Sequence, residues 1–210
     1  MMEEVFFLNP NNKNSSDRKK VLIEIISLID NTKGLLRIAM AYFTYPDIAN
    51  ALIKRTKNGR ATNLLLNTSD ILRPRNINES EIVISKYLME LIKLNNPLEI
   101  QSLGFQSKKD YSNMHHKFIV SDKTLIFGSL NWTQSALHKN YEVVVLSDST
   151  MMISKFIKEF DSLWKQSQPF FSSKGKIRMI MCPICKSSDG VDFESFGPFC
   201  LFCNHHFKVV

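Results

Sequence analysis

The sequence has no long apolar stretch. Charged residues interrupt its hydrophobic segments well short of the ~18 residues that a membrane-spanning helix requires, so we expect no stable insertion into a membrane. The chain begins Met-Met-Glu-Glu, which is acidic where a secretory signal is basic. These two absences predict a soluble protein that is not exported and lies in the cytoplasm.

Cysteine is also scarce, and all four cysteines lie near the end of the chain. They form two Cys-x2-Cys pairs, Cys182/Cys185 and Cys200/Cys203, separated by fourteen residues, which is typical of a four-cysteine zinc site. Two disulfides or a redox-active pair are the alternatives, but the expected lack of export and the absence of other cysteines favour zinc. Because so short a segment has too little core to fold alone, bound Zn²⁺ would supply much of its stability.

Positive charge is in excess. The chain contains 27 Lys and Arg residues against 20 Asp and Glu residues, which gives a formal net charge of +7. This balance favours a polyanionic partner, since opposite charges attract over a long range. Charge alone is weak support, because many basic proteins bind nothing acidic.

One segment, 114–133, combines several chemically active residue types. His115 and Lys117 are two residues apart on a predicted strand, so their side chains project from the same face. The polar residues Ser121–Thr124 separate two apolar runs and predict a hairpin. The glycine and serine after the second run would break that strand and bring Asn131 towards His115. An imidazole, an ammonium and a carboxamide would then converge, which suits the binding and attack of a phosphate diester.

The spacing of this segment closely resembles the HxKx4Dx6GSxN signature of the phospholipase D superfamily, with one residue fewer before the Gly-Ser. The resemblance implies that His115 is the nucleophile and forms a covalent phosphohistidine. It implies that Lys117 and Asn131 bind the non-bridging phosphate oxygens. Ser129 could add a hydroxyl donor, and Asp122, which lies on the turn, is given a structural role.

Glu142 follows the motif, just before an apolar run that predicts a strand. Members of the family often carry an acidic residue here, so the resemblance implies that Glu142 hydrogen-bonds the second ring nitrogen of His115 and fixes its tautomer. The alternative is a surface glutamate at a strand end. We expect His116 to face the other side of the strand and to be structural, and we assign no role to His138, which lies in a polar loop.

The chain contains only one copy of the motif. Displacement at phosphorus requires a group that protonates the departing oxygen, and within the superfamily that acid is the histidine of a second motif copy. We therefore predict a two-fold homodimer in which each subunit lends one His115 to a shared site. The two imidazoles would titrate as a coupled pair, and a monomer would be inert.

Helical and strand-like patterns alternate over most of the chain. The predicted helices span 18–30, 45–57, 82–94 and 151–165, and the predicted strands span 4–8, 35–43, 63–66 and 98–103. With the late hairpin, this alternation predicts an α/β fold, a mixed β-sheet flanked by helices on both faces, as in the phospholipase D superfamily. We predict a phospholipase D-like catalytic domain at 1–168, followed by a linker and a small zinc-ribbon domain at 169–210.

Two further groups of residues have two interpretations each. Lys54, Arg55, Lys57 and Arg60 cluster at a helix end, where they either follow a nucleic-acid backbone or form a solvated helix face. The segment 42–44 follows a buried strand and either borders the site or supplies core aromatics.

The resemblance covers roughly residues 4–165 and implies a metal-independent phosphodiesterase. The small size, single motif, basic charge and zinc ribbon favour an endonuclease that acts on DNA or RNA. The first alternative is a phospholipid hydrolase of the same superfamily, since the same chemistry cleaves lipid headgroups. The second is a nucleic-acid-binding module without turnover. The zinc ribbon is compatible with nucleic-acid contact, protein docking or a stabilising role.

Overall fold

The computed structural model describes a sheet with helices and several short peripheral strands. The described residues are 3–11, 16–67, 81–84, 91, 94, 97–106, 111–169, 176–179, 191–194, 197–200 and 205–206. Its helices are α1 (Ser16–Asn31), α2 (Pro46–Lys57), α3 (Gln134–Lys139) and α4 (Thr150–Gln166). Its strands are β1 (Glu3–Leu8), β2 (Leu36–Met40), β3 (Thr62–Asn67), β4 (Glu81–Ile84), β5 (Leu98–Gln106), β6 (Tyr111–Asn113), β7 (Lys117–Val120), β8 (Leu125–Gly128), β9 (Glu142–Ser147), β10 (Gln168–Pro169), β11 (Lys176–Met179), β12 (Val191–Glu194), β13 (Gly197–Cys200) and β14 (His205–His206).

The central sheet contains nine strands, in the order β1-β9-β8-β7-β2-β3-β5-β10, with β6 paired to β5. Strands β2, β3 and β5 run parallel, whereas β7, β8, β9 and β1 add to β2 in antiparallel fashion. The α/β fold with a mixed sheet, predicted from the alternation of elements, is confirmed.

Helices cover the two faces of this sheet because their apolar residues recur on one side. In α1, Val21, Ile25, Leu28 and Ile29 are buried and, with α2, form the larger core on one face. In α4, buried Ile153 and Phe160 pack with strand residues in a second core on the other face. Each such buried aliphatic or aromatic side chain contributes roughly 1.5–3 kcal/mol.

Arg55 of α2 is buried, with only 1% of its surface exposed. Its guanidinium donates to the carbonyl oxygens of Ile29, Thr32, Gly34 and Ala61 and to Thr62 Oγ1. It thereby ties the end of α1 and the start of β3 to α2. Both interpretations of the basic cluster are therefore wrong for this residue, because a guanidinium saturated by internal acceptors neither binds a ligand nor faces solvent.

The predicted helix 82–94 is wrong at its start, where β4 pairs in parallel with β11. Three consecutive β-branched residues, Ile82-Val83-Ile84, favour a strand over a helix. Leu91 and Leu94 are helical, as predicted.

The C-terminal strands β12, β13 and β14 form a separate three-stranded sheet. Cys200 ends β13, whereas Cys182, Cys185 and Cys203 lie outside the described residues. At the predicted domain boundary, β10 pairs with β5 at the edge of the central sheet. In the part of the chain that the structure describes, no helix is both long and apolar enough to cross a membrane.

Candidate active site

The candidate site lies at the end of the sheet where β2 finishes and β7 begins. Met40 at the end of β2 pairs with Lys117 at the start of β7. The next residues continue the pairing, since Ala41 N donates to His116 O at 3.1 Å. The ring of Tyr42 then meets the ring of His115 edge-on, with centroids 6.3 Å apart. His115 is thus held just outside the sheet by two adjacent backbones.

Lys117 is half-buried against the apolar side of the sheet. Its Nζ donates to the backbone oxygen of His115 at 2.8 Å. Burial lowers the pKa of Lys117 to about 8, and the negative charge of Glu142 opposes part of that shift. The ammonium is therefore poorly solvated and sits beside His115, where an anionic oxygen would compensate its lost hydration.

His115 carries an exposed imidazole whose pKa is lowered. The causes, in order, are desolvation, the charge of Lys117 and the neighbouring His116. Since the ordinary histidine pKa is 6.5, a lowered value keeps the ring neutral at pH 7. A neutral ring has a nitrogen lone pair free for nucleophilic attack.

At the end of β8, the backbone of Gly128 and Ser129 lies very close to the backbone of β9. A Cβ on Gly128, whose φ is +155°, would lie 2.0 Å from the carbonyl oxygen of Val143, so only glycine fits. Ser129 N donates to Val143 O at 3.0 Å, and Val143 N donates to Ser129 Oγ at 3.1 Å. This close approach fixes Ser129 beside the first residue of β9, Glu142.

Glu142 completes a polar network at this end of the sheet. One carboxylate oxygen accepts from the hydroxyl of Ser129, and the other accepts from Asn140 Nδ2 at 3.3 Å. The carboxylate also acts electrostatically on Lys117. The hydrogen bonds described for its carboxylate come from Ser129 and Asn140, and the hydrogen bond to His115 that the resemblance implies stays a prediction.

Asn131 lies in the loop after β8. Its neighbour Trp132 donates N–H to Tyr42 O and accepts from the N–H groups of Thr44 and Tyr45, which anchors the loop against the segment after β2. Among the residues that the structure describes, Asn131 Oδ1 is buried without a hydrogen-bond partner. An orphaned buried acceptor costs about 1–3 kcal/mol, and such groups are typical of functional sites.

The structure does not bring Asp122 to this site. Asp122 lies in the turn after β7, at the opposite end of that strand from His115, a separation of roughly 13 Å for four residues. It borders the cleft that the last turn of α1 forms with the hairpin turn. This position is in keeping with the structural role predicted for it.

His116, the neighbour of His115, points away from the candidate site. His116 Nε2 lies 3.3 Å from Glu159 Oε1 on α4, on the far face of the sheet from Lys117, as the alternation of a strand predicts. Tyr42 borders His115, whereas Phe43 is buried, so the segment 42–44 divides between the two interpretations given to it. The sequence did not predict Asn140 as a site residue, although its side chain donates to the carboxylate of Glu142.

Known proteins resemble this chain in both sequence and structure. Two curated relatives are mitochondrial cardiolipin hydrolases. The Xenopus laevis protein is 28% identical over 144 aligned residues, which cover 66% of this chain and 60% of the relative. The Mus musculus protein is 42% identical over 82 residues, 36% of this chain and 37% of the relative. The chain therefore spans about 60% of the length of the Xenopus laevis relative.

Two solved structures share the fold. NucT from Helicobacter pylori aligns with a TM-score of 0.64 at 23% identity, over 80% of this chain and 98% of that one. Nuc, a phospholipase D family member from Salmonella typhimurium, aligns with a TM-score of 0.58 at 22% identity, and the alignment covers 81% of this chain and 99% of Nuc. The family described as "Cardiolipin synthase, PLD-like domain" matches residues 25–164, so the chain belongs to the phospholipase D-like family.

Proposed function

We propose that the chain is a metal-independent endonuclease that cleaves DNA or RNA through a phosphohistidine at His115. The observation that carries this proposal is the proximity of a neutral imidazole and a partly desolvated ammonium, since Lys117 Nζ donates to the backbone oxygen of His115. The imidazole supplies a nucleophile, and the ammonium supplies the positive charge that a metal ion provides in other phosphodiesterases.

The reaction proceeds in two displacements at phosphorus. A neutral ring nitrogen of His115 attacks, a P–N bond forms, and the P–O bond to the departing oxygen breaks. That oxygen takes a proton from the protonated His115 of a second copy. Water then attacks the phosphohistidine, gives a proton back to the second imidazole, and releases the phosphorylated end together with a neutral His115.

Lys117 and Asn131 stabilise the charge on the phosphoryl oxygens during both steps. Asn131 would do so through its Nδ2 donor, since its buried, unpartnered Oδ1 is an acceptor and cannot bind a phosphoryl oxygen. Glu142 keeps Lys117 charged, because its carboxylate raises the lysine pKa against the effect of burial. Ser129 acts through Glu142, whose carboxylate its hydroxyl holds in place.

The basic composition supports a nucleic-acid substrate, since the formal net charge of +7 attracts a polyanion. The second candidate is a phospholipid diesterase. It is favoured by the names of the curated relatives, which are mitochondrial cardiolipin hydrolases. The same displacement at phosphorus cleaves nucleic acids and phospholipids. The preference between these two substrates therefore depends on how the rest of the substrate binds around the reaction centre.

The test is cleavage of single- and double-stranded DNA and RNA and of cardiolipin-containing vesicles, all in excess EDTA. Wild type is compared with His115→Ala and with the matched control His116→Ala, which removes the adjacent imidazole that contacts Glu159 instead. We expect wild type and the control to cleave a nucleic acid and His115→Ala to lose at least about 10³-fold in kcat.

Three outcomes contradict the proposal. Equal activity in wild type and His115→Ala would assign cleavage to another site or to a contaminant. Cleavage that depends on a divalent metal would exclude the metal-independent mechanism. Hydrolysis of cardiolipin alone would establish the second candidate in place of the first.

A further inference from the structure

Tyr42 lies between two parts of the candidate site, the nucleophile and the loop that carries Asn131. On one side, its ring meets the ring of His115 edge-on. On the other side, its backbone oxygen accepts from Trp132 N at 3.0 Å, and Trp132 directly follows Asn131. A single residue therefore contacts both of the segments that have to act on one phosphate.

The backbone of Tyr42 is held on both sides. The residue before it, Ala41, donates to His116 O and so continues the pairing of β2 with β7. The residue after it, Phe43, forms a parallel bridge with Trp132, and their rings pack with centroids 5.3 Å apart. Phe43 is only 7% exposed. Since neighbouring side chains of an extended backbone point to opposite sides, Phe43 turns into the core and the ring of Tyr42 turns towards the candidate site.

The imidazole of His115 is held less firmly than the backbone of the same residue. Lys117 Nζ donates to the backbone oxygen of His115, which fixes the backbone and not the imidazole. Among the described residues, the ring that meets this exposed imidazole is that of Tyr42, at 6.3 Å between centroids and an interplanar angle of 85°. Aromatic rings favour such edge-to-face pairs at separations of about 4.5–7 Å. Without this neighbour, an exposed side chain exchanges among its staggered rotamers.

Attack on phosphorus requires one orientation of the His115 ring. The attacking nitrogen has to lie in line with the departing oxygen, and a small misplacement lowers the rate of the chemical step. In the proposed mechanism, Lys117 and Asn131 hold the phosphoryl oxygens and so fix the position of phosphorus. The direction of the imidazole is a separate requirement, which a contact on the ring itself can meet.

We propose that Tyr42 is a positioning residue, whose ring holds the imidazole of His115 in the orientation that attacks phosphorus. This inference rests on the proposed function and deepens it, because it names a group that aims the nucleophile. Tyr42 acts through His115 and does not have to touch the substrate. The role belongs to the aromatic ring and not to the hydroxyl, so Tyr42→Phe preserves it.

The experiment compares Tyr42→Leu, which keeps apolar bulk but removes the flat ring, with Tyr42→Phe, which keeps the ring. Both substitutions leave the backbone hydrogen bonds of this residue in place. The matched control is Tyr141→Leu at the same end of the sheet, since Tyr141 is 66% exposed and its hydroxyl accepts from Asn11 Nδ2 instead. Urea denaturation verifies that each variant is folded.

The first measurement separates kcat from KM, on whichever substrate the wild type cleaves, a nucleic acid or cardiolipin-containing vesicles. We expect kcat to fall up to about tenfold in Tyr42→Leu, the size of one lost edge-to-face contact. KM should change by less than about twofold, because Lys117 and Asn131 still bind the phosphate. Tyr42→Phe and Tyr141→Leu should keep kcat within about twofold of wild type.

The second measurement does not depend on catalysis. Carbon-13 relaxation of the histidine rings gives an order parameter for each imidazole, and His115→Ala identifies the signal of His115. We expect this order parameter to fall below about 0.6 in Tyr42→Leu and to stay high in wild type and Tyr42→Phe. The ring of His116, which packs near Phe118 and Glu159, is the internal reference and should not change.

Four outcomes overturn the positioning role. They are an unchanged order parameter of His115 in Tyr42→Leu, an unchanged kcat, a loss confined to KM, which would assign Tyr42 to substrate binding, and equal losses in Tyr42→Leu and Tyr42→Phe, which would assign the effect to the hydroxyl. If the order parameter falls as expected but the wild type cleaves neither substrate, Tyr42 still holds the imidazole and the proposed function fails.

Discussion

At the scale of single residues, the candidate site depends on two lowered pKa values, and both shifts favour loss of the proton. A lowered pKa keeps His115 neutral and nucleophilic near pH 7, whereas it brings Lys117 close to losing its proton. Burial is the largest cause of both shifts. The carboxylate of Glu142 opposes the shift of Lys117 alone, so it keeps the ammonium charged in the pH range where the imidazole is free to attack.

Replacing Glu142 by Gln should therefore move the alkaline limit of activity to lower pH. The pKa of Lys117 is about 8 with the carboxylate present, and the charged form, which activity requires, is lost as the pH rises through that value. Removing the carboxylate takes away a contribution that raises this pKa, so Lys117 loses its proton, and the enzyme its activity, at a lower pH. The measurement is kcat/KM against pH, between pH 5 and about 10.

The matched control is Glu159→Gln, which removes a carboxylate that contacts His116 rather than the candidate site. It should leave the alkaline limit unchanged. If the alkaline limit of kcat/KM moves to higher pH in Glu142→Gln, or does not move, the protonation of Lys117 does not set that limit.

At the scale of elements, the position of Ser129 and Glu142 depends on how closely β8 approaches β9. Gly128→Ala would force a methyl group against the backbone of Val143 and Val144, and backbone atoms cannot move aside as the end of a flexible side chain can. We expect the free energy of unfolding to fall by at least about 2 kcal/mol, measured by urea denaturation.

Gly34→Ala is the comparison, since an added Cβ there meets nothing within 4 Å. Its effect should be no more than about 0.5 kcal/mol. Similar unfolding free energies for the two variants would mean that β8 and β9 separate easily, and the close approach would then not fix the site.

Elements with a local signal could be predicted from the sequence, and those without one could not. The polar turn 121–124 between two apolar runs predicted the hairpin of β7 and β8, and helical spacing predicted the helix α1. The pairing of β1 with β9 joins segments at opposite ends of the domain, for which no local pattern exists. Arg55 was misinterpreted for a related reason, because the carbonyl groups that bury it come from the end of α1 and from the loops before β2 and before β3.

The same distinction applies to the candidate site. Its central residues lie within one short segment and Glu142 follows soon after, so the spacing of the motif and its resemblance to the phospholipase D superfamily grouped them. Tyr42 lies far earlier in the chain, and only the pairing of β2 with β7 brings its ring against that of His115. The orphaned oxygen of Asn131 is likewise a property of packing, since it arises from the anchoring of Trp132 against the segment after β2.

At the scale of the whole molecule, the four cysteines are expected to hold a structural metal ion. We predict about one Zn²⁺ per purified chain, and a proportional loss in Cys182→Ser and Cys200→Ser. Metal analysis combined with thiol titration distinguishes a zinc site from two disulfides or a redox-active cysteine pair. Free thiols without zinc, or disulfides that resist thiol reagents until reduced, would contradict the zinc site.

An exposed apolar surface near the candidate site is expected to bind a second copy of the chain. Phe7 on β1 is 67% exposed, and its cross-strand partner Val143 on β9 is 37% exposed. A single chain leaves these side chains in water, and the proposed mechanism requires the histidine of a second copy. Phe7→Lys should therefore give a monomer by light scattering and abolish cleavage. Ile23→Lys, at a position of α1 that is 52% exposed, should remain a dimer and stay active.

Mixing experiments can show whether two copies share one site. If each site needs His115 from both subunits, a dimer with one His115→Ala chain is inactive. With a tenfold excess of that variant and random exchange, only about a tenth of wild-type chains find a wild-type partner, so activity should fall to about a tenth. The double variant Phe7→Lys, His115→Ala, which should not associate, provides the control and should not inhibit. Undiminished activity in the presence of excess His115→Ala would mean that each chain carries a complete site, with its general acid among its own residues.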